Sequence, residues 1–105
     1  MAPSPAPLLT VEMFSPNNGT LFRVEHGAET PVVEMELIEV NALPIPKNAP
    51  QLKRDPFSLL FRGLGDFGYQ QGSYRLRHEK LGVLEIFLVP IGRDEKGTFL
   101  EAIFN

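Results

Sequence analysis

The strictest constraint on this chain is the period of its apolar residues. Tyr74, Leu76 and His78 alternate with Ser73, Arg75, Arg77 and Glu79. A period of two puts the first set on one face of an extended strand and the second on the other. The pattern recurs along the chain. Phe22 and Val24 oppose Leu21 and Arg23, and Val33, Met35 and Leu37 oppose Glu34 and Glu36. Phe57, Leu59 and Phe61 fall in phase, as do Leu100, Ala102 and Phe104. With the apolar run 83–89, this predicts six strands over about 20–25, 32–40, 57–62, 73–79, 83–89 and 98–104. At Ile38 the apolar phase switches to Ile38 and Val40, the signature of a β-bulge or a bend.

The punctuation between these runs is turn chemistry. Pro16-Asn17-Asn18-Gly19 and Lys80-Leu81-Gly82 read as turns, the second closing a hairpin between 73–79 and 83–89, with Gly82 supplying a positive φ. Pro90 is expected to end the fifth strand, and 91–97 to be a polar turn. Thr10 suits the N-cap of a single helical turn over Val11–Phe14. Asn41 to Pro56 is a long connection with four prolines, expected to carry few backbone hydrogen bonds. The fold class that follows is all-β and mainly antiparallel. It is a small sandwich or partly open barrel of about six strands, with at most one short helical turn. Residues 1–7, small and proline-rich, read as a flexible tail before a single domain over 8–105. The run 83–89 is apolar on both faces apart from Glu85, so it belongs in mid-sheet.

Composition narrows the chemistry. A chain of 105 residues holds one domain, and with no cysteine it has neither disulfides nor thiolate metal sites. Eight phenylalanines and no tryptophan point to a core built largely of rings without polar handles. The net charge of −3 argues against a nucleic-acid partner. No apolar run reaches the length of a membrane span, and MAPSPAPLLTVEMF lacks the basic and apolar regions of a leader, so the cytoplasm is the default location. Charge is segregated. Residues 1–46 carry six acids and one base, and residues 47–105 carry nine bases and seven acids. Pairing of the Glu34/Glu36 face with the Arg75/Arg77 face in one sheet would account for this. The rival is that Arg75 and Arg77 stand free for an anionic partner.

Candidate sites are few. His78 shares the inward face with Tyr74 and Leu76, which points to a buried, hydrogen-bonded histidine rather than a base or ligand. His26 lies in a turn. Two histidines without a spaced carboxylate motif do not make a metal site, and no cofactor is expected. Ser73, His78 and Asp66 can be combined into a triad on paper, but no nucleophile elbow supports it. The glycines of GLGDFG are followed by no helix pattern and no phosphate-reaching lysine. What remains is an interaction set: Phe67 and Tyr69 in the Gly-rich loop 63–72, Arg75 and Arg77 on one strand face, and Lys53 and Arg54 in the Pro-rich connection.

The runs FSLLFRG, QGSYRLRHEKLGVLEIFLVPIG and FLEAIFN resemble an uncharacterised family of short, mainly bacterial proteins classed as a domain of unknown function. Its pattern is an FRG strand, a QG-Y-H-LG hairpin, an FLVP-G strand and a YEA-FN ending. The resemblance covers most of 57–105 and, more loosely, 8–40, and it departs at Leu100, where the family carries tyrosine. It brings no catalytic residues with it. Some relatives are encoded beside phage-tail-collar-like proteins, which implies a place in a tail-like particle. The expected function is therefore a non-enzymatic structural or protein-interaction module, with a homo-oligomer possible. The alternative is a small-ligand or glycan-binding domain using the loop 63–72.

Overall fold

The computed structural model describes residues 9–25, 33–45, 55–65 and 68–105. A helical turn, α1 (Val11–Phe14), runs into a 3₁₀ turn (Ser15–Asn17). Six strands follow: β1 (Leu21–Val24), β2 (Val33–Ala42), β3 (Phe57–Leu64), β4 (Gly72–His78), β5 (Gly82–Asp94) and β6 (Gly97–Phe104). All neighbours are antiparallel, and the sheet closes on itself in the order β1-β2-β3-β6-β5-β4. Of the two expected architectures the barrel is the one formed, and it has no open side. The tail, His26 and most of the Pro-rich connection lie outside the described residues.

The period-two residues point where the sequence places them. Phe22, Met35, Leu37, Phe57, Leu59, Phe61, Leu76 and Leu100 are fully buried, and each such side chain contributes about 1.5–3 kcal/mol relative to exposure. The phase switch in β2 is a bulge: Leu37 pairs with Phe61 but Glu39 with Leu60, leaving Ile38 as the extra residue. Val40 opposite Leu59 thereby regains the inside. The β4–β5 hairpin turns after His78↔Gly82, and Gly82 holds φ +77°.

Four expectations need correction. Pro90 does not stop β5, which runs on to Asp94. The last β4–β5 pair at this end is Gly72↔Leu88, so beyond it β5 is paired with β6 alone, and a residue without an N–H costs no ladder bond on the unpaired edge. The register slips between Pro90 and Gly92. The expected polar turn 91–97 is a hairpin tip of two residues, Glu95 and Lys96, organised by the Asp94 carboxylate, which accepts the N–H groups of Lys96 (2.9 Å) and Gly97 (3.1 Å). Thr10 occupies the N-cap of α1, but its hydroxyl makes no capping bond. Finally, β1 lies between β2 and β4, so Glu34 and Glu36 are not on the strand beside Arg75 and Arg77.

Each end of the barrel is shut by an aromatic group. At the end where β3 begins and β6 finishes, Phe14 of α1 lies over Phe57 and Phe104, with ring centroids 5.9 and 6.4 Å away, and those two stack at 4.6 Å. At the other end Tyr69 folds over β3. A Cβ on Gly63 would sit 2.4–2.8 Å from three Tyr69 ring carbons, and one on Gly97 would sit 1.9 Å from the Gly63 carbonyl oxygen. Both glycines are therefore required by close approach. Gly63→Ala and Gly97→Ala are each expected to cost roughly 1–3 kcal/mol through overpacking. Gly68→Ala, with nothing within 4 Å, should be close to neutral. Urea unfolding of the three variants checks this, and equal midpoints would refute it.

Candidate functional site

A buried polar network inside the barrel is centred on His78. The residue is 4% exposed, and its ring lies 4.3 Å from that of Phe22. Its Nδ1 accepts the backbone N–H groups of Lys80 (3.0 Å) and Leu81 (3.2 Å), so that nitrogen carries no proton. The proton sits on Nε2 and is donated to Thr20 Oγ1 at 2.8 Å. Thr20 passes its own proton to the Asn17 carbonyl at 2.6 Å, and Asn17 Nδ2 reaches back to the Met13 carbonyl at 2.8 Å. The network ties α1, the entry to β1 and the β4–β5 turn into one unit. Both ring nitrogens are committed, which leaves no lone pair or proton for a substrate. Burial pushes the pKa of His78 below the usual histidine range; Glu79 opposes that shift and Lys80 adds to it.

The Gly-rich loop is drawn inward. Tyr69 is buried, and its hydroxyl donates towards the Leu64 carbonyl (3.1 Å), with the Glu34 carbonyl at 3.4 Å. Burial, with Tyr74 nearby, raises its pKa to about 12. The Tyr74 hydroxyl donates to the Gln70 carbonyl and accepts the Gln70 N–H. Tyr69 was expected to be an open ring for a ligand, but its place is the lid of the barrel. The physical reason is Gly63, whose missing side chain makes room for the ring. Phe67, Lys53 and Arg54 lie outside the described residues.

Arg75 and Arg77 do face outward from β4. They are tied to Glu25, which directly follows β1. Arg75 Nε lies 3.2 Å from Oε2, and Arg77 Nε contacts Oε1. The expected pairing with the Glu34/Glu36 face does not form, and Glu25, which the strand order brings alongside, takes its place. Such exposed pairs contribute about 0–1 kcal/mol each. A groove of about 460 Å³ runs over the short β1 beside them, lined by Leu21, Arg23, Glu34, Arg77 and Glu79 among others. Two guanidiniums against two carboxylates give it no preferred sign of ligand.

The outer wall of β5 and β6 carries four of the seven exposed large apolar side chains among the described residues, the others being Leu21, Ile45 and Leu64. Phe87 is 53% exposed and Ile103 59%. Ser73 stands opposite Phe87, and Ser58 opposite Ile103. The two apolar residues occupy adjacent strands, two positions along from the Val89↔Glu101 pair. Val83 and Ile91 are also exposed on β5. The sequence signal was present: 83–89 is apolar on both faces. It placed the strand in mid-sheet, and β5 does lie between β4 and β6. A single-layered barrel, however, covers only the inner face, so the outer apolar residues meet solvent.

A small antiparallel barrel with a packed interior and an apolar stripe on its wall is the class these features define. The chain belongs to the family described as a domain of unknown function, DUF6916, whose model matches residues 9–104. No curated protein and no solved structure matches it. No helix among the described residues is long and apolar enough to cross a membrane.

The His78 network gives a pH dependence with a definite sign. Above about pH 6.5 both folded and unfolded chains hold a neutral histidine, and its contribution to stability is complete. As pH falls through that value the unfolded chain binds a proton that the folded chain refuses, so stability drops until the lowered folded pKa is passed. Urea midpoints should fall between pH 7.5 and 5.5. His78→Asn, which keeps an acceptor but cannot titrate, should be less stable at pH 7.5 and show a flatter profile. Parallel profiles would exclude His78 as the group responsible.

Proposed function

We propose that this barrel is a protein-interaction module, non-enzymatic in itself, that docks a partner protein on the outer wall of β5 and β6. The observation that carries the reading is the exposure of Phe87 and Ile103 on adjacent strands. Folding does not require apolar residues there, since serine or threonine would suit an outward strand position equally well. Exposed apolar side chains gathered on one wall are what a docking surface needs. Two further facts support the reading. The ring nitrogens of His78 are both occupied by structural hydrogen bonds, which removes the best candidate for acid–base chemistry. The alternative ligand site in loop 63–72 loses Tyr69 to the interior.

The resemblance to bacterial proteins encoded beside phage-tail-collar-like proteins makes a tail-like particle the first assembly in which to look for the partner, and the cytoplasm or that particle the expected location. Photo-crosslinking tests the reading. Benzophenone side chains placed at 87 and at 103 should capture one and the same partner mass in the producing cell. The same group at Glu12, exposed on α1, should capture none. Identical patterns at all three positions would overturn the proposal.

A further inference from the structure

We infer that the partner seated on the β5–β6 wall presents apolar side chains flanked by cationic ones, an inference that rests on the docking reading above. The apolar pair is bracketed by carboxylates. Glu85 lies two residues before Phe87 on the same outward face of β5. On the other side Glu101 stands between Val89 of β5 and Leu60 of β3, and Glu39 lies beyond it, opposite Leu60. Among the described residues none of these three glutamates forms an ion pair. Arg75 is opposite Glu85 in the ladder, but its guanidinium is turned to Glu25 on the other side.

That arrangement selects the partner's charge. A surface that covers Phe87 and Ile103 takes water from the carboxylates beside them, and a carboxylate that loses water without gaining a cation is strongly penalised. Lysine or arginine removes the penalty, and the aliphatic stem of either extends the apolar contact. The same carboxylates repel phosphate, so nucleic acid and anionic lipid surfaces are poor occupants. Spacing adds a second restriction. Outward residues on one strand repeat at about 7 Å, so the series Glu85, Phe87, Val89 is matched by an extended segment whose cations and apolar residues alternate at the same interval.

The test uses the intact chain, labelled with ¹⁵N, and two synthetic peptides. One has two leucines at alternate central positions with a lysine on each side. Its twin carries glutamates in place of the lysines. The lysine peptide is expected to move amide signals of residues 83–89 and 99–103 and to bind about ten-fold or more tighter than its twin, with the preference shrinking as salt rises. Glu85→Gln with Glu101→Gln should remove the preference, and Glu85→Lys with Glu101→Lys should reverse it. The spectra themselves report whether these variants fold. Equal binding of both peptides, lost in Phe87→Ser, would overturn the cationic partner while leaving the docking reading intact. Perturbation of this wall by neither peptide would overturn both. Concentration-dependent shifts at these amides without peptide would make a second copy of the chain the occupant, and would also overturn the cationic partner.

Discussion

Closure of the sheet between β1 and β4 is what gives this molecule a single inside. The seam is short: among the described residues only Arg23↔Arg77 and Val24↔Leu76 are paired across it. Contacts on either side extend it. On one side the Glu25 N–H donates to the Arg75 carbonyl at 2.7 Å, while the Glu25 carboxylate holds both arginines. On the other, Thr20 and Phe22 meet His78. The histidine is thus more than a filled core position. It locks the last strand pairing to the helical turn whose Phe14 shuts that end of the barrel.

Once closed, a six-stranded barrel has room inside for side chains and little else. Phenylalanine fills it: Phe22 meets Phe61 edge-on at 5.2 Å, and Phe14, Phe57 and Phe104 form the plug. Tyr69 does the same at the opposite end and adds hydrogen bonds that satisfy strand carbonyls. On the proposed function, with the interior occupied in this way, recognition falls to the outer wall. There the charged residues separate into a self-satisfied group around Glu25 and a stretch with acids and exposed apolar residues along β5 and β6.

Much of this was legible in the sequence, for a physical reason: side-chain period reports which face a residue takes. The alternations in β1, β2, β3, β4 and β6, the bulge at Ile38, the Gly82 turn and the inward His78 all follow from it. Strand order does not, because period says nothing about which strand lies beside which. Hence Glu34 and Glu36 were expected beside Arg75 and Arg77, where β1 intervenes and Glu25 takes their place. Pro90 misled because its meaning depends on whether the strand has a neighbour at that point. Tyr69 was misread because the vacancy it fills is made by Gly63, six residues away, and an absent side chain leaves no pattern. The wall itself was half legible. The doubly apolar 83–89 was visible, but whether a second layer covers the outer face is a property of the closed barrel.

On the proposed function the apolar residues fall into two sets: those that hold the barrel together and those that stand on its wall for a partner. Comparing the unfolding free energies of Phe87→Ser/Ile103→Ser and Phe22→Ala by urea titration tests that division most directly. Phe22→Ala should cost about 3–5 kcal/mol, as large-to-small changes of buried rings do. The outer double variant should stay within about 0.5 kcal/mol per site of the parent, as surface changes do. If the outer pair proved as costly as Phe22, those residues would be holding the fold, and the wall would not be free for a partner.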